Sequence, residues 1–266
     1  MLISPSSAAA NARQGRLPVV AFAAILIAAS WAYLLYMHWG MWHMDAVTDS
    51  LLMPSMTGWS VTDLLLVFVM WAVMMVAMML PSTMPLLLLV AKVNYGRFAR
   101  ERALLGTGIF ALGYLVVWTG FSALATLAQW GLLEARLVSP MMQSANPWLS
   151  ATLLVAAGAY EFTPLKNACL SRCQSPMGFL MTGWREGISG AFAMGIRHGA
   201  YCTGCCWLLM ALLFVFGVMN LAWIAALAIF VLLQKLLRQP IWFTRATGAT
   251  LIVWGALIAV QTTVLY

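Results

Sequence analysis

Residues 187–234 read GISGAFAMGIRHGAYCTGCCWLLMALLFVFGVMNLAWIAALAIFVLLQ, and Arg197 is the only formal charge in the stretch. About 20 apolar residues cross a bilayer, so this run is too long for one helix and suits two. Gly217-Val-Met-Asn220 supplies the break, because Gly and Asn favour turns. The spacing predicts helices over about 188–216 and 221–234. Working outward, the same lack of charge marks 17–44, 64–91, 103–133, 137–160 and 246–266. The first of these runs is longer than the roughly 7–15 residues of a signal-peptide core, so it is read as a helix. The expected fold is all-α: a polytopic transmembrane helical bundle of about seven helices. Residues 17–266 form a single multi-pass membrane domain behind a disordered cytoplasmic tail, 1–16, rich in Ser and Ala.

Composition agrees, since 64% of the 266 residues are hydrophobic and 8% charged, against roughly a quarter charged in soluble domains. That leaves no room for a soluble enzyme domain, and the protein is expected not to be an enzyme. There is no P-loop, so the chain itself does not couple ATP to transport. The net charge of +7 would suggest nucleic acid in a soluble protein. Here it follows from the positive-inside bias, and nucleic acid is set aside. With the N-terminus inside, Arg13, Arg16, Lys92, Arg97, Arg100, Arg102, Lys166, Arg172, Arg185, Lys235, Arg238 and Arg245 all fall on the cytoplasmic side. Only Arg136 lies outside and Arg197 within the membrane. A single span over 187–234 would break that pattern, so the expected topology is N-terminus in and C-terminus out, in a cell inner membrane.

The chemistry gathers in the fifth span, where His198 is followed by Cys202, Cys205 and Cys206 and preceded by Met194. At about 100° per residue, with His198 at zero, Met194 lies at about −40°, Cys202 at +40°, Cys205 at −20° and Cys206 at +80°. One face therefore carries an imidazole, three thiols and a thioether, donors that suit Cu(I) or Zn(II) rather than Mg or Ca. Any one of these cysteines alone reads as a small packing residue; the cluster with His198 reads as a site. Covalent haem is excluded, because no His directly follows a C-x-x-C pair.

Further ligand types stand above and below. Met70, Met74 and Met78 form an i,i+4 stripe in the second span, where thioethers fill gaps or share a metal with the thiols at a similar depth. His38, His43 and Met44, near Trp39 and Trp42, look like a capture segment at the outer mouth or an aromatic belt. Cys169 and Cys173, beside Lys166 and Arg172, form a candidate hand-off pair on the cytoplasmic side or are ordinary cytosolic thiols. Glu161 and Arg197 are the two charges placed inside the membrane, and a buried charge is costly enough that the two are expected to pair.

The strings Trp71-x-x-Met74-x-x-Ala77-Met78-Met79-x-Pro81, Thr163-Pro164-Leu165-Lys166-x-x-Cys169-Leu170-x-x-Cys173 and His198-Gly-x-Tyr201-Cys202-x-Gly204-Cys205-Cys206-Trp207-x-x-Met210 resemble a bacterial family of predicted metal-binding integral membrane proteins. That resemblance implies a metal site without naming the ion. Members usually carry an acid–lysine pair where this chain has Gln234-Lys235, and a glutamine where it has Glu161. The expected function is transport or trafficking of a soft transition metal ion, copper favoured and zinc possible, within a lipid bilayer and in exchange with a soluble metal-carrying protein. Two alternatives stand beside it: a membrane thiol–disulfide redox protein, and a non-catalytic assembly partner whose cysteines only pack.

Overall fold

The computed structural model describes residues 5–42, 59–139, 144–237 and 241–265. Within them lie α1 (Pro5–Trp42), α2 (Val61–Arg97), α3 (Arg100–Glu134), α4 (Pro147–Glu161), α5 (Pro164–Cys173), α6 (Pro176–Gly183), α7 (Gly187–Ala211), α8 (Leu213–Phe216), α9 (Leu221–Leu236) and α10 (Ile241–Leu265). Polar caps start several of them. Ser60 Oγ accepts from the Asp63 backbone while Asp63 accepts from the Ser60 backbone, a reciprocal box at the head of α2. Asn146, Thr163 and Asn220 cap α4, α5 and α9 with a side-chain oxygen that accepts from one backbone N–H of the first turn. Each such cap contributes about 1 kcal/mol.

The all-α bundle is as the sequence predicts, and α1, α2, α3, α7 with α8, and α10 each contain a stretch long and apolar enough to cross a membrane. The turn at Gly217–Asn220 also falls where expected: Gly217 has φ 96°, a conformation open to glycine, and α9 starts at Leu221. Two boundaries differ. Among the described residues of the uncharged run 137–160 the helix begins at Pro147, giving α4 15 residues, and ahead of it Arg136 turns with φ 56° and Val138 bridges to Ser144. At the other end α1 is helical from Pro5, so the boundary expected at residue 16 is no break in the backbone.

Contacts fix the directions of the helices. Trp71 donates to Gln129 near one end of the α2–α3 pair and Asn94 to Thr107 near the other, so these two helices are antiparallel. Along α3 and α7 the contacts advance together, Phe110 with Gly195 and Val117 with Gly199, so this pair is parallel. The backbones nearly touch there: a Cβ on Gly195 would lie 2.1 Å from the Phe110 carbonyl oxygen, and one on Gly113 2.4 Å from that of Phe192. Close approach over small residues is how helices pack in membranes, where burying apolar surface gives little drive.

The arrangement puts the end of α2, the start of α3 and the start of α7 together, joined by the exposed pair Arg97–Glu186 at 3.5 Å. This is the basic end of the bundle. Beside it α5 and α6, which the sequence reading assigns to a loop, are folded against α7 and α2.

Candidate functional site

Cys202 sits on α7 at the point where α2, α3 and α9 converge. Its Sγ lies 2.8 Å from Lys235 Nζ on α9 and 3.0 Å from Tyr114 Oη on α3. Tyr114 Oη donates to the Met79 carbonyl of α2 at 3.0 Å, and Lys235 Nζ reaches Met79 Sδ at 3.6 Å and Ser82 Oγ at 3.3 Å. Four helices therefore meet through one thiol. Cys202, Tyr114, Met79 and Lys235 are each 5% exposed or less, so the ammonium is held in a dry interior. Lys235 supplies the positive charge that a thiolate, or an anionic metal–thiolate complex, needs to sit in such surroundings.

The neighbouring thiols turn inward onto the same helix. Cys205 Sγ donates to the Cys202 carbonyl at 3.1 Å and Cys206 Sγ to the same oxygen at 3.0 Å. These are side-chain-to-backbone bonds of the i→i−3 and i→i−4 kind, and a thiol is a weak donor, so little is lost when one rotates away. Cys173, from α5, packs against the buried cluster that holds Cys205. Cys169 is buried against Gly204, where an added Cβ would lie 2.9 Å from its Sγ. Lys166, which the sequence places beside these two thiols, is bonded to Glu161 and Gln234 instead. None of the five cysteines is joined in a disulfide.

Glu161 does not pair with Arg197. Its carboxylate is bonded to Lys166 Nζ, both side chains being fully buried, and it also accepts from Gln234 Nε2 at 3.4 Å. Lys166 donates in addition to Gln234 Oε1 at 3.3 Å. The capped break at Phe162–Thr163 folds α5 back on α4 and brings residues five apart face to face. Arg197 faces outward on the other side of α7, with its guanidinium 5.9 Å from the centre of the Phe179 ring and 5.8 Å from that of Tyr201. An arginine that long reaches the surface and stacks on aromatic rings, so it does not need the carboxylate.

Met70, Met74 and Met78 are buried in the same apolar cluster as Cys202, Cys205 and Cys206. The thioether that reaches the polar centre is, however, Met79's. With α2 antiparallel to α7 and Met79 level with Cys202, Met70 lies about 13 Å farther along its helix at 1.5 Å per residue. Cys206 is instead level with Met74 and Met75. His198, one turn below Cys202, is packed among Tyr114, Phe110 and Phe179 with ring centres 5.6, 6.3 and 5.4 Å away, and its Nδ1 has no hydrogen-bond partner. His38 Nδ1 donates to the Met219 carbonyl at 3.2 Å, tying the end of α1 to the turn before α9. His43 and Met44 lie outside the described residues.

Among the described residues, no three or more His, Cys, Asp or Glu side chains are posed to hold a metal ion as they stand. The thiols on Cys202, Cys205 and Cys206 form a soft donor set in which two members are engaged with a backbone carbonyl. Closing a shell requires those two to rotate. The chemistry of the donors suits a soft monovalent ion of low coordination number better than one needing four ligands. A family model described as PpoB2, copper chaperone, matches residues 68–258, from the middle of α2 into α10. The chain belongs to this family. The match spans every residue of the polar centre, from Met79 to Lys235, and leaves out the whole of α1 with His38. No curated protein and no solved structure matches the chain.

Sequence reasoning missed Tyr114, Met79, Ser82 and Lys235. Lys235 looks like one more positive-inside charge at a helix end, and only the resemblance drew attention to positions 234 and 235, where other members carry an acid and a lysine.

Proposed function

We propose that this copper chaperone is a multi-pass inner-membrane protein, N-terminus in and C-terminus out, that holds Cu(I) at Cys202, Cys205 and Cys206 and passes it across or within the membrane. The observation that carries this reading is the pairing of Cys202 with Lys235 in an interior beside two further thiols. Two thiolates on Cu(I) make a complex of charge −1, and the buried ammonium neutralises it. Zn(II) with the same two thiolates would leave the centre positive, a poor fit to a low-dielectric site. Tyr114 orients Cys202 from the side opposite the helix backbone, and Met74 and Met75 offer thioethers at the level of Cys206. Membrane insertion is supported by the five long apolar helices.

The test is anaerobic copper loading of detergent-purified protein followed by elemental analysis. Wild type should retain about one copper per chain, and the Cys202→Ser/Cys205→Ser/Cys206→Ser variant none. Equal copper in both would overturn the reading. The packing of Cys173 against the buried cluster that holds Cys205 favours thiol–disulfide exchange as a second reading. That reading requires the pair to oxidise to a disulfide with a quinone as acceptor, which mass spectrometry of alkylated peptides detects.

A further inference from the structure

Below the thiol cluster, towards the basic end, lies a cavity of about 140 Å³ lined by residues of α2, the α5–α6 junction, α7 and α9, among them Ser82, Cys173, His198 and Lys235. Its rim residues Pro85 and Leu236 are exposed, while His198 on its wall is only 4% exposed. Two features of this space point to a ligand. His198 carries a buried ring nitrogen with no partner, and leaving such a group unsatisfied costs about 1–3 kcal/mol unless something occupies it. Cys173, on the same wall, is partly exposed and at the same time packs against the inner cluster that holds Cys205. One side chain thus belongs to both the cavity and the cluster.

We propose that this cavity is the loading port of the copper site: Cu(I) arrives from the basic end, is taken by Cys173 and His198, and is relayed through Cys173 to Cys205. The proposal rests on the copper reading above and adds the route and its donors. The ion stays Cu(I) throughout. In the first exchange a copper–sulfur bond to the delivering thiolate, on a small thiol or a carrier protein, breaks as one to Cys173 forms, and the Cys173 proton passes to the departing thiolate. In the second, a bond to Cys205 replaces that to Cys173 and the Cys205 proton returns to Cys173, while a bond to the Cys202 thiolate, paired with the Lys235 ammonium, replaces that to His198 Nδ1. His198 Nδ1 holds the ion between the two steps, which lets each exchange proceed with copper never bare. Two donors suffice for a soft monovalent ion. Lys235, also on the cavity wall, closes the inner end and keeps the transferred charge compensated.

Cu(I)–glutathione, mixed under nitrogen with detergent-purified protein and separated at timed intervals by size exclusion, gives the loading rate and the final copper content. Cys173→Ser and His198→Phe should each load at least about tenfold more slowly than wild type while ending with the same copper per chain. Cys169→Ser, altered at the thiol buried against Gly204, should load at the wild-type rate. Unchanged rates in both Cys173→Ser and His198→Phe would overturn the port and leave the copper site standing. Failure of wild type to take up copper would overturn both. If His198→Phe fails to fold, His198→Gln and the pair Cys173→Ser and Cys173→Ala still decide, because a serine that keeps the side chain's place against the cluster without restoring the rate separates ligation from packing.

Discussion

Glu161 and Lys166 show what a single residue must satisfy in this bundle. Each side chain is wholly buried, and their mutual bond, with Gln234 across both, is what keeps two charges there. Removing one partner leaves the other charge stranded, which costs about 3–5 kcal/mol, whereas removing both together costs much less than the sum. Thermal unfolding in detergent should therefore show a large loss for Glu161→Gln and for Lys166→Met, and a double variant well above the additive value. A cycle between Glu161 and Arg197 should be additive, since Arg197 stacks on Phe179 and Tyr201 instead. Coupling in the second cycle and none in the first would refute the assignment. The need of Glu161 for a partner was legible in the sequence. The partner was not, because counting residues along a helix does not show that a capped break brings together two residues five apart.

At the scale of elements, the charge-free runs revealed the long helices, and Gly217–Asn220 gave the turn between α8 and α9. Two things escaped. Residues 137–139 and 144–146 are uncharged but not helical, because Asn146 and Pro147 are the cap and first residue of α4, and an uncharged stretch looks the same on either side of a cap. The ten residues of α5 carry Lys, Asn, Ser and Arg and read as a loop, yet α5 buries Lys166, Cys169 and Leu170 against its neighbours. The centre depends most on the α3–α7 contact, which sets Tyr114 against Cys202. In Gly195→Ala the new methyl would meet the Phe110 carbonyl oxygen at 2.1 Å. The two helices must then separate, at a cost of about 1–3 kcal/mol, and copper retention should fall with the melting temperature. Gly108→Ala, on the same helix as Tyr114 but with nothing within 4 Å, should melt at or slightly above wild type, as helix propensity favours alanine by about 1 kcal/mol. If Gly195→Ala melts like Gly108→Ala, the close approach is not what holds α3 to α7.

For the whole molecule the account ties topology to chemistry. The basic end, where Arg97, Arg100 and Arg102 cluster, is the end from which the cavity beside Cys173 leads to Cys202. A reporter fused at Arg100 should accordingly read as cytoplasmic and one fused after Tyr266 as periplasmic; a cytoplasmic C-terminus would remove the proposed orientation and the side from which copper is loaded. The central claim is that Cys202 and Cys205, with Lys235 as counter-charge, hold Cu(I). X-ray absorption at the copper edge on anaerobically loaded protein tests it most directly. The expected spectrum is that of Cu(I) with a first shell dominated by sulfur, losing sulfur occupancy in Cys202→Ser and in Cys205→Ser while Cys169→Ser keeps the wild-type shell. A first shell of nitrogen and oxygen, or a sulfur shell that survives the loss of both Cys202 and Cys205, would contradict the claim.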